Sequence, residues 1–225
     1  MYMSKIRRAG GIDRYLQKKE ERSAGALIER IRKNIKPGSR ILEIGTGTGA
    51  IGALLTKYGF DMTAIDNDSK MIKIAKKTFS LFNKVDNVYL YNAKDIIKKF
   101  GLNSFACVIS HGMLEHYSDI EIINFLKIQL SVAPLVIFVI PTSSMSKKYR
   151  SKGIGDERYL STQYWRELIR KDFFIQYIFG FGFKETNFPQ SFEILLKNNT
   201  IARLLAPLCG INEFWIIAKG DNFTF

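Results

Sequence analysis

Apolar and polar positions fall along this chain in blocks that read alternately as strand and helix. Arg40 to Ile44, Met62 to Asp66, Val88 to Tyr91, Ala106 to Ser110 and Leu135 to Ile140 are short apolar runs without a helical period. Runs of that length predict buried strands. Between them lie segments of helical spacing. One starts at Ala50 and ends near Gly59, and another covers Ser69 to Asn83, with Met71, Ile72, Ile74, Ala75, Phe79 and Phe82 on it. A third covers Asp119 to Leu130. Upstream, Asp13 to Ile35 predicts a basic amphipathic helical region broken near Gly25, followed by a turn at Lys36-Pro37-Gly38-Ser39. Downstream, the pattern predicts a helix containing Trp165 and a strand over Phe173–Phe179. A helix with one apolar side over Ser191–Leu205 and a strand over Glu213–Lys219 follow. Repeated strand–helix units imply a parallel sheet covered by helices on both faces. No repeat or low-complexity linker interrupts the 225 residues, so a single α/β domain over 1–225 is expected.

In such a sheet, ligands bind beyond the carboxyl ends of the strands. That rule collects Gly45 to Gly49, Asp66, Asn92, Ser110 to Glu115 and the chain from Pro141 onward. The richest of these is Ile41-Leu42-Glu43-Ile44-Gly45-Thr46-Gly47-Thr48-Gly49, a strand running into three alternating glycines ahead of a helix. A glycine turn lets backbone approach a ligand closely, and the helix N-terminus aims amide N–H groups into the same space. Two readings compete. Gly47-Thr48-Gly49-Ala50-Ile51-Gly52 fits G-x-G-x-x-G, and Asp66 lies near the spacing of a ribose-binding acid, as in dinucleotide sites. That match begins one dipeptide late and ignores Gly45 and Glu43. Glu43 puts negative charge where a pyrophosphate would sit, so a cationic or zwitterionic ligand is expected.

Read from the strand end, the segment is E-x-G-x-G-x-G. In this it resembles the first motif of the class I S-adenosylmethionine (SAM) methyltransferases. The resemblance covers residues 36 to 180 and the last strand. It implies a three-layer, Rossmann-like, seven-stranded sheet, mostly parallel with an antiparallel last strand. It also implies SAM as methyl donor, S-adenosylhomocysteine (SAH) as product, and no metal. Gly45, Thr46, Gly47 and Gly49 then form the turn under the cofactor. Glu43 either orders that turn or meets the amino group. Asp66 takes the ribose diol, and Asn67 lies against the adenine face. Asn92 and Ala93 border the adenine edge, where Asn92 replaces the commoner Asp, and Ser110 completes the cofactor set. Asp68 is the better N-cap for the helix after Asp66.

Ser110-His111-Gly112-Met113-Leu114-Glu115-His116-Tyr117 holds both histidines of the chain. Their titration range suits proton removal near neutrality. A strand followed by Leu-Glu-His resembles small-molecule methyltransferases acting on quinone rings, sugars and natural products. His111 is the candidate base or substrate-orienting group. His116 is a candidate substrate contact, or a member of the following helix or its cap. No Asn/Asp-Pro-Pro-aromatic turn follows strand four, which argues against adenine-N6, guanine-N2 or glutamine targets. Residues 142–160 are expected to form a lid, with Tyr149, Arg158 and Tyr159 as candidate substrate contacts; each has ordinary loop packing as its alternative. Residues 184–211 are expected to be a helical insertion that caps the pocket, forms a homodimer contact or rests on a membrane.

Composition narrows this little. At 46% apolar the chain is not disordered. Cys107 and Cys209 have neither metal nor disulfide spacing. The longest apolar run, Ala133 to Ile140, is too short to span a bilayer, and no secretory signal is expected, which points to the cytoplasm. Net charge is +13 and uneven: residues 1–40 hold 12 Lys/Arg against 4 Asp/Glu, a balance of +8. Residues 1–35 are therefore a basic helical cap. It is either a solvated face or an arm for RNA, an anionic membrane surface or a phosphorylated substrate. Aromatic residues are not interleaved with its basic ones as a stacking platform requires. Three functions stay open: methylation of an O, N or C atom of a small metabolite, methylation of tRNA, rRNA or protein, and non-catalytic SAM binding.

Overall fold

A computed structural model describes residues 2–143, 156–181 and 212–219. Its seven strands lie in the order β3-β2-β1-β4-β5-β7-β6. The sheet is mixed, mostly parallel and flanked by helices. The chain divides into two compact units. The first holds residues 1–110 and 128–134, and the second holds 111–127 and 135–225.

In the first unit, β1 (Arg40–Ile44) is flanked by β2 (Asp61–Asp66) on one side and β4 (Cys107–His111) on the other, both parallel. β3 (Val88–Leu90) pairs with the outer side of β2. Ile41, Leu42 and Ile44 are almost completely buried, as a central parallel strand covered on both faces requires. α4 (Ala50–Lys57) follows β1, and its residues Ala50 to Leu55 are all buried. A helix that is apolar all round belongs inside a layer and not at its surface. α5 (Ser69–Phe79) is amphipathic and is capped by Asp68, whose carboxylate accepts the Lys70 N–H at 2.7 Å. That is the role expected of Asp68. A short helix, α6 (Ile96–Phe100), follows β3.

The N-terminal region is more broken than its periodicity indicates. α1 (Tyr2–Ala9) and α2 (Ile12–Lys19) are separated by Gly10 and Gly11. A π-helical segment, Glu20–Ala24, precedes α3 (Gly25–Asn34). The break expected near Gly25 is therefore a π-turn ending beside it. A Cβ on Gly25 would lie 2.6 Å from the Glu20 carbonyl oxygen, so the wide turn needs glycine there. Leu16, Leu27, Ile28 and Ile31 are buried, while Arg7, Arg8, Arg14 and Lys18 are exposed. Glu20 accepts bonds from Lys57 Nζ at 3.1 Å and from the Tyr58 hydroxyl. The Arg32 guanidinium sits 4.5 Å from the centre of the Tyr58 ring.

In the second unit, β5 (Leu135–Pro141) pairs antiparallel with β7 (Asn212–Lys219), which pairs antiparallel with β6 (Phe173–Phe181). α7 (Asp119–Val132), whose last residues belong to the first unit, begins after Ser118, and Glu121 reaches back to accept the Ser118 N–H at 3.1 Å and its hydroxyl at 2.8 Å. α8 (Thr162–Ile169) is capped by Ser161. The unit's core is aromatic. Phe138 stacks on Trp215 with ring centroids 5.9 Å apart, and Trp165 lies 6.2 Å away on a tilted plane. All three are fully buried. Tyr149 and the 184–211 insertion lie outside the described residues, as does most of the 142–160 segment.

Removing the ring at the centre of this cluster leaves a cavity lined by two tryptophans. Phe138→Ala is expected to destabilise the protein by ~3–5 kcal/mol, read as a lowered urea midpoint. A loss below ~1 kcal/mol would mean that the stack is not a packed core.

Candidate functional site

The glycine turn is built around one buried acid. Glu43 points from β1 beneath the turn and is only 3% exposed. Its Oε2 accepts the Thr46 hydroxyl at 2.6 Å and the Gly52 N–H, in the first turn of α4, at 3.1 Å. One carboxyl thus ties the strand, the turn and the helix together. Burial is the main influence on Glu43. Opposed by those two hydrogen bonds and helped by the charge of Asp66, it pushes the acid up to about 7. Gly52 is small for this reason. A Cβ there would meet Glu43 Oε2 and Phe79 Cζ, each at 2.6 Å. The third glycine of the apparent dinucleotide fingerprint makes room for a strand carboxyl and the Phe79 ring.

The turn itself requires glycine. Gly45, Gly47 and Gly49 have φ of 66°, 53° and 72°, the left-handed region at every second residue. The turn closes through Gly49 N–H to the Thr46 carbonyl at 2.9 Å, and Thr46 N–H bonds the Ile65 carbonyl at 3.1 Å. Asp66, at the end of β2, accepts the Gly47 N–H on Oδ2 at 2.8 Å and the Asp68 N–H on Oδ1 at 2.9 Å. Each oxygen keeps a free lone pair. A Cβ on Gly47 would meet no atom within 4 Å, so the space over the turn is open. Ser110 pairs in register with Ile44, the residue before the turn, and its Oγ is buried without a hydrogen-bond partner among the described residues.

The other cofactor candidates of this unit lie at the neighbouring strand ends. Asn67 is exposed beside Asp66. Asn92 is exposed after β3, with its Oδ1 accepting the Lys94 N–H at 2.9 Å, and Ala93 is half-buried. Asp95 pairs with Lys98 at the start of α6. The structure thus brings Glu43, Gly45, Thr46, Gly47, Gly49, Asp66 and Ser110 to one edge of the first unit.

The second unit holds the histidines and the acceptor-side candidates. His111 is half-buried at the end of β4. A turn of 3-10 helix, Leu114–His116, follows. It carries Glu115, the acid of the Leu-Glu-His segment, whose burial no sequence pattern indicates. Glu115 is 3% exposed, and its Oε2 has no hydrogen-bond partner among the described residues. Burial, opposed by its own backbone N–H and by His116, pushes it up to about 7. His116 Nδ1 lies 2.8 Å from Asp156 Oδ1. Arg158 bonds Asp119 at 2.7 Å and the Tyr117 carbonyl at 2.8 Å, and its N–H bonds the Glu115 carbonyl at 2.9 Å. Burial raises Asp119, but bonds from Tyr164 and Arg158 outweigh it and hold the acid low. Arg158 is therefore a strut between two segments 39 residues apart, and Tyr159 donates to Glu157. No cluster of three or more His, Cys, Asp or Glu that could hold a metal occurs among the described residues.

The acid-anchored glycine turn and Asp66 at the end of the next strand thus share one edge of the first unit. Residues 15–175 match the methyltransferase domain family, and the chain belongs to that family. Among similar proteins, the ribosomal protein L11 methyltransferase of Acetivibrio thermocellus is 40% identical over 60 residues, 26% of this chain and 19% of that one. The ubiquinone biosynthesis O-methyltransferase of Xanthomonas campestris is 31% identical over 83 residues, 37% of this chain and 34% of that one. The chain thus spans about a fifth to a third of the length of these relatives. The fold matches the crystal structure of magnesium protoporphyrin IX methyltransferase from Synechocystis with bound SAH. The TM-score is 0.63 at 14% identity, covering 98% of this chain and 88% of that one.

Two buried acids raised to about 7 set a pH dependence. Between about 4.5 and 7 the folded protein holds protons that the unfolded chain has released, so its stability falls as pH rises through that window. Each acid contributes up to roughly 3 kcal/mol of this fall. In Glu43→Gln, urea unfolding at pH 5 and pH 8 is expected to show a smaller difference than in the wild type. An unchanged difference would mean that Glu43 is ionised throughout.

Proposed function

We propose that this protein transfers a methyl group from SAM to an O, N or C nucleophile of a small metabolite. The observation that carries the proposal is the Glu43–Thr46–Gly52 anchor beneath an open glycine turn, with Asp66 beside it. Two acids suit a ligand with a sulfonium and an ammonium group, and they oppose a pyrophosphate. The open space over Gly47 and the unpartnered Ser110 hydroxyl fit a ligand with hydrogen-bonding groups of its own. In this reading Asp66 accepts from a ribose diol through its free lone pairs. Asn67 and Ala93 border the base, and Asn92 accepts an exocyclic N–H on its remaining lone pair. Bound SAM supplies an electrophilic methyl on sulfur. The chain's residues position the reactants and exclude water. Where the acceptor must lose a proton, His111 is the base, taking it on an imidazole nitrogen. The similarity to a ubiquinone O-methyltransferase and to a porphyrin methyltransferase supports a small acceptor.

A second reading rests on the exposed Arg7, Arg8, Arg14 and Lys18, which favour tRNA, rRNA or a protein as acceptor. No helix among the described residues is long and apolar enough to cross a membrane. A non-catalytic SAM-binding role is separated from both readings by turnover.

Calorimetry on the full chain is expected to show binding of SAM and SAH and none of NADH. Asp66→Ala should weaken SAM by about tenfold or more through lost ribose bonds. NADH binding in place of SAM would overturn the proposal. With an acceptor in hand, His111→Ala is expected to lose kcat by ~100-fold or more and to flatten the pH profile between about 6 and 9. An unchanged profile would remove His111 as base.

A further inference from the structure

A second basic region lies outside the N-terminal helices. Residues 67–100 hold eight Lys against three Asp, with no Arg or Glu, a balance of +5. They cover α5 and the β3–α6 segment, all within the first unit. α5 contains no acid, and its Lys70, Lys73, Lys76 and Lys77 are exposed. Lys70, Lys73 and Lys77 are three and four residues apart, so they form one row about 10 Å long on the outer face of the helix. The inner face buries Ile72, Ile74, Ala75 and Phe79. None of these ammonium groups meets an acid among the described residues.

β3 is the outermost strand of the sheet, and α5 packs beside it. Tyr89 and Tyr91 alternate with the exposed Leu90 and so share one face. There Phe100 of α6 meets both rings edge-on, with centroids 6.2 and 6.5 Å away, and Phe105 continues the row at 5.2 Å. Lys99 Nζ lies 4.2 Å from the centre of the Tyr89 ring and 5.1 Å from that of Tyr91. The Arg40 guanidinium lies 5.0 Å from the centre of the Phe105 ring. Tyr89, Tyr91 and Phe100 are half-buried, while Lys94, Lys98 and Lys99 are exposed. Nearby acids are already engaged: Asp95 lies 3.5 Å from Lys98, and Asp61 lies 4.0 Å from Arg40 and 3.8 Å from Lys84. Rings and cations are interleaved here, as they are not on the N-terminal helices.

We infer that α5 and the β3–α6 segment form a binding surface for single-stranded nucleic acid. The lysine row takes successive phosphates, and unpaired bases stack on the tyrosine rings. A base arriving on Tyr89 displaces the Lys99 ammonium, which turns to a phosphate. A duplex keeps its bases stacked on one another and leaves the rings unused, and so does an anionic lipid surface. This surface is separate from the glycine turn and does not depend on the donor assignment.

The test is fluorescence anisotropy of the full chain, without SAM, against a labelled single-stranded oligouridylate of about 16 nucleotides and an RNA duplex of the same length. The wild type is expected to bind the single strand about fivefold or more tighter than the duplex. The pair Lys73→Gln and Lys77→Gln should weaken the single strand by about tenfold and reduce the slope of log K against log salt by about 1.4, the share of two phosphates. Tyr89→Leu should weaken it by about fivefold or more with the salt slope unchanged, and leave the duplex within about twofold of wild type. Tyr89→Phe, which keeps the ring, should stay within about twofold for both. Binding that survives these changes, that falls with Arg7→Gln and Arg14→Gln instead, or that favours the duplex would overturn the inference. So would a wild type that binds phosphatidylserine vesicles and not the oligonucleotide, or neither. Thermal melting of each variant separates a binding loss from an unfolded protein.

Discussion

The Glu43 carboxyl is the contact from which the glycine turn hangs. It is buried at the end of a central strand, and two hydrogen bonds use one of its oxygens. Burying an acid costs free energy unless it is bonded or neutral; here two hydrogen bonds hold the carboxyl, and burial raises its pKa to about 7. The bonds join β1, the turn and α4, so three separate backbone segments depend on one side chain. Gly52 must be glycine because that carboxyl fills the space above it. The three left-handed glycines then follow from the path the chain must take around the acid.

Much of this was legible in the residues and some was not. The strands β1 to β5 and the last strand lie within a residue or two of the apolar runs that predict them. Their order and the antiparallel pairing of β7 agree with the methyltransferase fold. The Asp68 cap was readable because a cap and its helix are adjacent. The π-turn before Gly25 was not, because hydrophobic period is blind to one inserted residue. The Leu-Glu-His segment was legible, but the burial of Glu115 was not. Its burial depends on segments that Arg158 ties together across about forty positions, and no local pattern encodes such a pairing. Gly52 was visible but misleading, since it completes a dinucleotide pattern while serving an acid.

Arg158 shows how the same side chain changes meaning between sequence and structure. As one basic residue in a loop it reads as a substrate contact. In the fold its guanidinium binds Asp119 and the Tyr117 carbonyl, and Tyr164 shares the same carboxylate. With His116 on Asp156, these bonds clasp residues 156–164 to the turn that carries Glu115. The clasp lies within the second unit, while the acid-anchored turn lies within the first. Each unit therefore carries its own set of ordering contacts.

The division of the chain also sets an order of events during synthesis. The first unit is discontinuous, since residues 128–134 return to it after residues 111–127 have entered the second. Asn103 and Phe105 donate their N–H groups to the Ser131 and Val132 carbonyls, so the entry to β4 waits for the end of α7. Domains completed early can fold as they emerge from the ribosome. This one cannot close its last backbone bonds until the first residues of the second unit have already been made. The two units are thus interleaved in time as well as along the chain, and a truncation between residues 110 and 128 would leave the first unit short of a segment it needs.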